Sequence, residues 1–549
     1  MELARNIPLF LILLSLFSGV LCMVLGRRAA KVYTVVLELL ALVLAVLLLL
    51  YCLKTGASFT FVLGEFPAPW GNELRAGSLE ALLACAFLMV ETCAVLAGGK
   101  FLKIDVDESK INLYFSIVHL LRAALLSLVF TNDLFTGYVF LEILTLTSCG
   151  ILIIREIGRT TLAAVRYMVL NLLGSGLFLL GVVLFYAVTG HLLMVPMHEA
   201  ITELAARPAD LISLTLAAGI LTIGLGIKCG LFPFHFWMPD TYGCATPTSA
   251  SLLAGLVSKG YLFLLIKIYL RILGPELVGR MHIGRILFVL GILGMVFGSV
   301  AALRQNNINR MVALSSAAQI GYIFMGIGIG GMAGFTAAIF HILTHAVTKS
   351  LLFLTTPYLA EVSGGSLLFR NLQGSAHRAR VAGLFFLVGS FSMVGIPVFA
   401  GFSSKLLFAL AAVSTESFPK TLLTMLALAL SSLLNALYFL RTMIRIYSIG
   451  KGGSETSAAR EYEKAHGIQV RQMYSAEGSE YSLLPDGPAD ASENAEPANA
   501  GGAASKSARR RDMLAYVIPA FVLTAANVAL GLFSGPVVEL IENGLRMFP

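Results

Sequence analysis

Apolar runs long enough to cross a hydrocarbon core of about 30 Å as a helix recur along almost the whole chain, separated by short polar stretches. They lie near residues 7–25, 32–53, 78–97, 112–131, 134–154, 160–189, 211–233, 247–270, 284–303, 309–330, 333–357, 381–409, 421–447 and 513–534. Fourteen transmembrane helices are predicted, and the fold class is an all-α polytopic membrane protein. The first run has no basic stretch before it stronger than Arg5 and is followed by Arg27 and Arg28, so it reads as a retained helix rather than a cleaved signal.

Composition agrees. The 549 residues are 57% hydrophobic and 13% charged, whereas soluble domains carry about a quarter charged residues. A disulfide-stapled secreted protein is excluded as well, because 7 cysteines are few for this length. They include no CxxC pair, so neither haem nor an iron–sulfur cluster has evident ligands. No cofactor and no metal are expected, no catalytic residue stands out, and any redox chemistry belongs to a partner.

The net charge of +8 does not point to nucleic acid, because the basic residues sit in loops where they set orientation. Arg27, Arg28, Lys31, Lys100, Lys103, Lys110, Arg155, Arg159, Arg304, Arg310, Arg370, Arg378, Arg380 and Arg509–Arg511 fall in one set of alternate loops, predicted to be cytoplasmic. Lys54, Arg75, Arg207, Arg271, Arg280, Arg285 and Lys420 fall in the other. Both termini are then expected outside, in the plasma (inner) membrane of a prokaryote. Residues 450–512 break the membrane composition, being polar and rich in Ala, Ser and Gly, and read as a flexible cytoplasmic linker.

Ionisable groups inside apolar runs carry the functional signal, since a charge near the bilayer centre costs at least about 2.5 kcal/mol and marks an ion or substrate path by default. Glu142, Lys228, Lys259 and Lys405 are of this kind. Any one of them could instead be half of an ion pair joining two helices; four together are harder to explain that way. His341, His345 and Lys349 are spaced four apart and share a helix face. Zinc also uses two His at that spacing, but the third residue is a lysine and no acidic or Cys residue is near in sequence. Packing histidines are a second alternative, and a proton relay is the third, since imidazole exchanges a proton near neutral pH.

Breakers stand beside two of the lysines: Gly230 and Pro233 after Lys228, and Gly395 and Pro397 ahead of Lys405. Helices 7 and 12 are therefore predicted to be broken, freeing backbone groups inside a protein-lined path. If spans 4–8 (112–271) and 9–13 (284–447) are two five-helix repeats, the broken helices are equivalent fourth members, and the odd repeat length inverts the second copy. Residues 1–111 then hold helices 1–3, and residues 513–549 the C-terminal helix.

At these residues the chain resembles the antiporter-like membrane subunits of respiratory complex I, Mrp-type cation/proton antiporters and membrane-bound hydrogenases. The stretch from Lys228 through Pro233-Phe234-His235-Phe236-Trp237-Met238-Pro239-Asp240 to Thr246-Pro247-Thr248 is similar to the family's strongest signature. The His341/His345/Lys349 run and Gly395-Ile396-Pro397 with Gly401, Phe402 and Lys405 are similar to its second-half signatures. The resemblance covers roughly residues 80–447.

It implies that Glu142 pairs with Lys228 and tunes it, that Lys259 is the central relay, that His341, His345 and Lys349 extend the relay, and that Lys405 sits at the outward exit. Asp133, Arg122 and Arg166 would be accessory charges, with helix-end pairing as the alternative. His235 and Trp237 would shape the break. Lysines at 259 and 405, about fifteen residues after the last span, and the 450–512 insertion depart from the pattern and leave the subtype mixed. The expected function is proton translocation, with or without sodium exchange, in a complex I-like, Mrp-like or hydrogenase-like assembly. Other membrane subunits and peripheral redox subunits are the expected partners. The rival reading is a stand-alone secondary transporter of a small solute.

Overall fold

The computed structural model describes residues 2–63, 72–448 and 502–548. Among them, 13 helices are long and apolar enough to cross a membrane. A further crossing is made by two short apolar helices in series, Arg380–Val394 and Ala400–Val413. Together these account for the fourteen predicted spans, and the chain is a multi-pass membrane protein. Residues 450–501 of the polar stretch lie outside the described residues; residues 502–512 continue the last span as helix Gly502–Leu532.

Burial divides the spans into two kinds. Pro247–Leu273, Ile308–Ile329 and Gly331–Glu361 are enclosed on all sides by other helices. Outer spans such as Ile7–Val24, Arg27–Thr55 and Met513–Leu532 present large apolar side chains outward, among them Phe17, Val24 and Phe521. That is the arrangement of a helix bundle in lipid, where apolar contact with the solvent carries no penalty and only the central helices are buried in protein. Lys259 and the His341/His345/Lys349 stripe lie on the enclosed helices and are buried.

One end of the bundle is tied by ion pairs: Arg155 to Asp105 at 3.0 Å, Arg166 and Arg310 to Asp240 at 2.9 and 3.1 Å, and Lys100 to Glu361 at 2.5 Å. Arg155, Arg310 and Lys100 belong to the loops predicted to be cytoplasmic. Arg166 is half of a surface pair, and Asp133 caps helix Leu134–Ile153 by accepting from the Thr136 N–H at 2.5 Å. Helix-end pairing therefore accounts for both. At the opposite end an antiparallel hairpin, Phe59–Leu63 with Asn72–Ala76, continues through a bridge from Leu74 to Thr131. A final helix, Ser534–Arg546, packs against Ser78–Asp105 and Gly331–Glu361. Hydropathy did not signal either element, because neither needs a long apolar run.

Candidate functional site

Two breaks place the end lysines. Helix Pro208–Cys229 stops at Gly230, which takes a left-handed conformation (φ 76°) and bonds back to the Ile227 carbonyl at 3.1 Å. The left-handed conformation favours glycine, and a Cβ there would also displace the end of the Met238 side chain, 2.2 Å away at Cε. Arg380–Val394 likewise stops at Gly395 (φ 93°). Each proline follows its glycine by two or three residues, so glycine ends the helix and proline only keeps it from resuming. Pro233 opens the short turn Phe234–Trp237 that carries His235 and Trp237.

Lys228 sits in the last turn before its break and is buried. Its Nζ donates to Thr145 Oγ1 at 2.7 Å and lies 5.4 Å from the centre of the Tyr261 ring; Thr145 Oγ1 and Tyr261 OH are 3.1 Å apart. The expected direct pair with Glu142 is not formed. Thr145, one helical turn on from Glu142 and on the same face, receives the ammonium instead, while Glu142 is half-buried and acts on Lys228 through space. Its Oε1 has no hydrogen-bond partner.

Lys259 is fully buried, and its Nζ donates to the Ala254 carbonyl and, at 3.2 Å, to Ser258 Oγ. Ala254 belongs to a π-helical turn, Leu253–Val257, inside span Pro247–Leu273. Such a turn skips the ordinary i→i−4 pairing and leaves a carbonyl for the ammonium. Between Lys228 and Lys259 lies Cys229, on which both charges act and whose thiol donates to the Ser258 carbonyl at 3.8 Å.

On the neighbouring enclosed helix, the Lys349 ammonium donates to the Val312 carbonyl at 2.9 Å and to Ser315 Oγ. The His341 and His345 rings stack, with centroids 5.9 Å apart. His341 Nδ1 is 2.7 Å from Ser404 Oγ, and its ring also stacks on Tyr322 at 5.4 Å. Neither nitrogen of His345 has a hydrogen-bond partner. The charges of Lys259 and Lys349 act on both histidines, that of Lys405 acts on His341, and that of Lys259 acts on Lys349. Lys405 folds back across the second break, donating to the carbonyls of Met393 and Val394 at 3.2 and 2.5 Å, with its stem against Gly395. There it meets the negative end of the helix Arg380–Val394 dipole. Among the described residues, no group of three or more His, Cys, Asp or Glu could hold a metal ion.

Several parts of the site carried no readable signal in the sequence. Thr145, Tyr261, Ser315 and Ser404 look like ordinary polar residues of membrane helices. Asn527 of the last span donates to Thr348 Oγ1 at 2.7 Å and to Ser392 Oγ at 3.0 Å, and its Oδ1 accepts from the Ala400 N–H at 3.4 Å. It ties the histidine helix to both sides of the second break. Glu38 and Glu91, by contrast, stand in apolar runs as plainly as Glu142, and the same reasoning would have found them.

Comparison with known proteins gives the family and the fold. The family described as "NADH:quinone oxidoreductase/Mrp antiporter, TM" matches residues 131–432, just over half of the chain. NADH-quinone oxidoreductase subunit N of Desulforudis audaxviator is 28% identical over 451 residues, covering 81% of this chain and 87% of its own. A Na(+)/H(+) antiporter subunit of Bacillus subtilis is 25% identical over 453 residues, covering 82% and 88%. Two solved structures share the fold. In the Mrp complex from Dietzia sp. DQ12-45-1b the TM-score is 0.80, with 22% identity and coverage of 100% of this chain and 97% of the other. In the membrane-bound sulfane sulfur reductase, an archaeal respiratory membrane complex, it is 0.78, with 24% identity and coverage of 100% and 98%. The chain belongs to the NADH:quinone oxidoreductase/Mrp antiporter transmembrane family.

Proposed function

We propose that this chain is a proton-translocating membrane subunit, and that its protons move along a file formed by Glu142, Lys228, Lys259, Lys349, His345, His341 and Lys405. The observation that carries the reading is that Lys259, Lys349, His341 and His345 are buried on enclosed helices, and that the ammonium groups of Lys259 and Lys349 are hydrogen-bonded to carbonyls and hydroxyls rather than to a carboxylate. Lysines that only held helices together would be paired with acids. Here their ammonium groups meet carbonyls and hydroxyls, which stabilise a charge without neutralising it.

In such a file, a proton gained by one member raises the free energy of a charge on the next, so the sites load and unload as a set. Glu142 is positioned to modulate Lys228, with Thr145 as the direct acceptor. Lys405, over the second break, is the exit group, and protons travel from the cytoplasmic face to the outer face. The two five-helix segments, 112–271 and 284–447, are the units that alternate. The relatives are, by name, a subunit of an NADH-quinone oxidoreductase and a subunit of a Na(+)/H(+) antiporter. By the same reading this chain works beside other membrane subunits, with a redox module or sodium exchange as the driving partner, in a prokaryotic plasma membrane with both termini outside.

The test is to reconstitute the complex carrying Lys228→Ala or Glu142→Gln in liposomes and follow lumenal pH. The expected result is loss of proton translocation with assembly intact; translocation at the wild-type rate in both variants removes the proposal.

A further inference from the structure

The four N-terminal spans close around a second set of ionisable groups that the lysine file does not use. Glu38 of Arg27–Thr55, Glu91 of Ser78–Asp105, and His119 and Arg122 of Glu108–Phe130 all have relative exposure of 0%. Arg122 Nη1 is 2.9 Å from Glu38 Oε1, its Nε donates to Ser15 Oγ at 2.9 Å, and its Nη2 donates to His119 Nδ1 at 2.6 Å. A guanidinium has no acceptor, so Nδ1 must be the bare nitrogen of a neutral imidazole. The ring proton is then on Nε2, which donates to Thr34 Oγ1 at 3.1 Å.

Arg122 is therefore the one positive charge in the cluster, and Glu38 takes it. None of the carboxyl oxygens of Glu38 and Glu91 is hydrogen-bonded, and only Glu38 has an ion-pair partner, in Arg122. Glu38 and Arg122 are the charges that act on it. The other helices packed on Ser78–Asp105 carry, among other groups, Lys259, His345, Lys349, Glu361 and Tyr516; Glu361 pairs with Lys100, and the two lysines of the relay act on its histidines instead. One guanidinium cannot neutralise two carboxylates, and a second buried carboxylate without a partner costs several kcal/mol. Sodium is disfavoured by the adjacent guanidinium. A proton is the remaining ligand.

We propose that Glu91, with Glu38 and Arg122 beside it, is a second proton-binding site, separate from the lysine file. The hydrogen bonds around Arg122 and His119 continue towards the Arg27 end of the bundle. Thr34 lies one turn from Glu38 on that side and bonds His119; the half-buried Tyr33 meets the His119 ring edge-on at 6.4 Å, and its hydroxyl is 3.1 Å from Ser18 Oγ. A proton bound at Glu91 converts one carboxylate of the pair into its acid, with Arg122 holding the charge of the other.

The experiment uses the purified complex. Infrared difference spectra are taken on stepping the pH from mildly acidic to alkaline, for wild type, Glu91→Gln and Lys228→Ala. The expected result is a protonated-carboxyl C=O band that declines as pH rises, disappears in E91Q and persists in K228A, which separates this site from the relay. A spectrum unchanged by E91Q overturns the proposal. Gln is close in shape to a protonated Glu, so E91Q should assemble. If it does not, labelling of the wild-type chain with dicyclohexylcarbodiimide, read by peptide mass spectrometry, decides. An adduct on Glu91 whose yield falls as pH rises supports the site, and no adduct, or a yield independent of pH, refutes it.

Discussion

The Lys228 ammonium and the Thr145 hydroxyl are 2.7 Å apart, so a neutral group stands at the place where a carboxylate was expected. A hydroxyl holds the lysine in position whether or not it is charged, since it can donate to the free amine or accept from the ammonium. Glu142, at a distance, biases the lysine without locking it in a salt bridge. Thr145→Val keeps the shape and removes the hydroxyl. A hydrogen bond to a charged group contributes roughly 1.5–3 kcal/mol, so proton translocation by the reconstituted complex should fall about tenfold or more. An equal rate in Thr145→Val would show that the hydroxyl is only a packing group.

The π-helical turn Leu253–Val257 supplies Lys259 with the Ala254 carbonyl. Lys259→Met retains the stem in this enclosed position and removes the charge. The variant should assemble at wild-type yield, because burying an unneutralised ammonium is unfavourable to begin with, yet it should lose translocation. Blue-native electrophoresis and a lumenal pH dye read the two effects separately, and a variant that both assembles and pumps would place Lys259 outside the path.

Gly230 has φ of 76°, a conformation in which other residues are strained, and a Cβ would also push aside the end of the Met238 side chain. Gly230→Ala should therefore destabilise the break by about 1–3 kcal/mol. Gly279, within a short helix and with open space where its Cβ would go, is the control. A scanning thermal denaturation of the purified complex should show a lowered midpoint for the first variant and little change for the second.

Asn527 bonds to Thr348 on the histidine helix and to Ser392 and Ala400 on the two sides of the second break. Asn527→Leu takes the acceptor from the Ala400 N–H, at about 1–3 kcal/mol, and removes one partner each from Thr348 and Ser392, which keep Thr344 and Gly401. The expected outcome is a destabilised half-helix Ala400–Val413 and faster backbone hydrogen exchange there than in Pro247–Leu273. Equal exchange in both segments would mean that the last span does not support the break.

Arg122→Ala tests a different balance from any relay variant. Removing one partner of a buried pair leaves the other uncompensated and costs about 3–5 kcal/mol. Glu38 should respond by taking up a proton, so the double variant Arg122→Ala/Glu38→Gln is expected to recover part of the lost stability. Thermal midpoints of the two variants, measured side by side, check this.

How much was legible in the sequence follows from the range of each interaction. Hydropathy is a property of each run by itself, so the number and order of spans, the Lys and Arg bias of alternate loops and the helix breaks at Gly230 and Gly395 could all be read directly. A charged residue in an apolar run is likewise conspicuous alone, which is why Lys228, Lys259, Lys349 and Lys405 were found. Glu38 and Glu91 gave the same signal. The hairpin Phe59–Leu63/Asn72–Ala76 and helix Ser534–Arg546 gave none, since their stability comes from neighbours.

Which groups face one another depends on the packing of the helices. The order of residues alone is enough to say that charges are kept inside the membrane and near which breaks they stand. It did not determine that Thr145 rather than Glu142 takes the Lys228 ammonium, that a π-turn offers its carbonyl to Lys259, or that Asn527 closes the second break. Nor did it show that one arginine faces two glutamates from three helices. Ammonium and carboxyl groups choose partners over a few ångströms, and for Lys228, Lys349 and Arg122 those partners come from residues tens of positions away, where no local pattern links them.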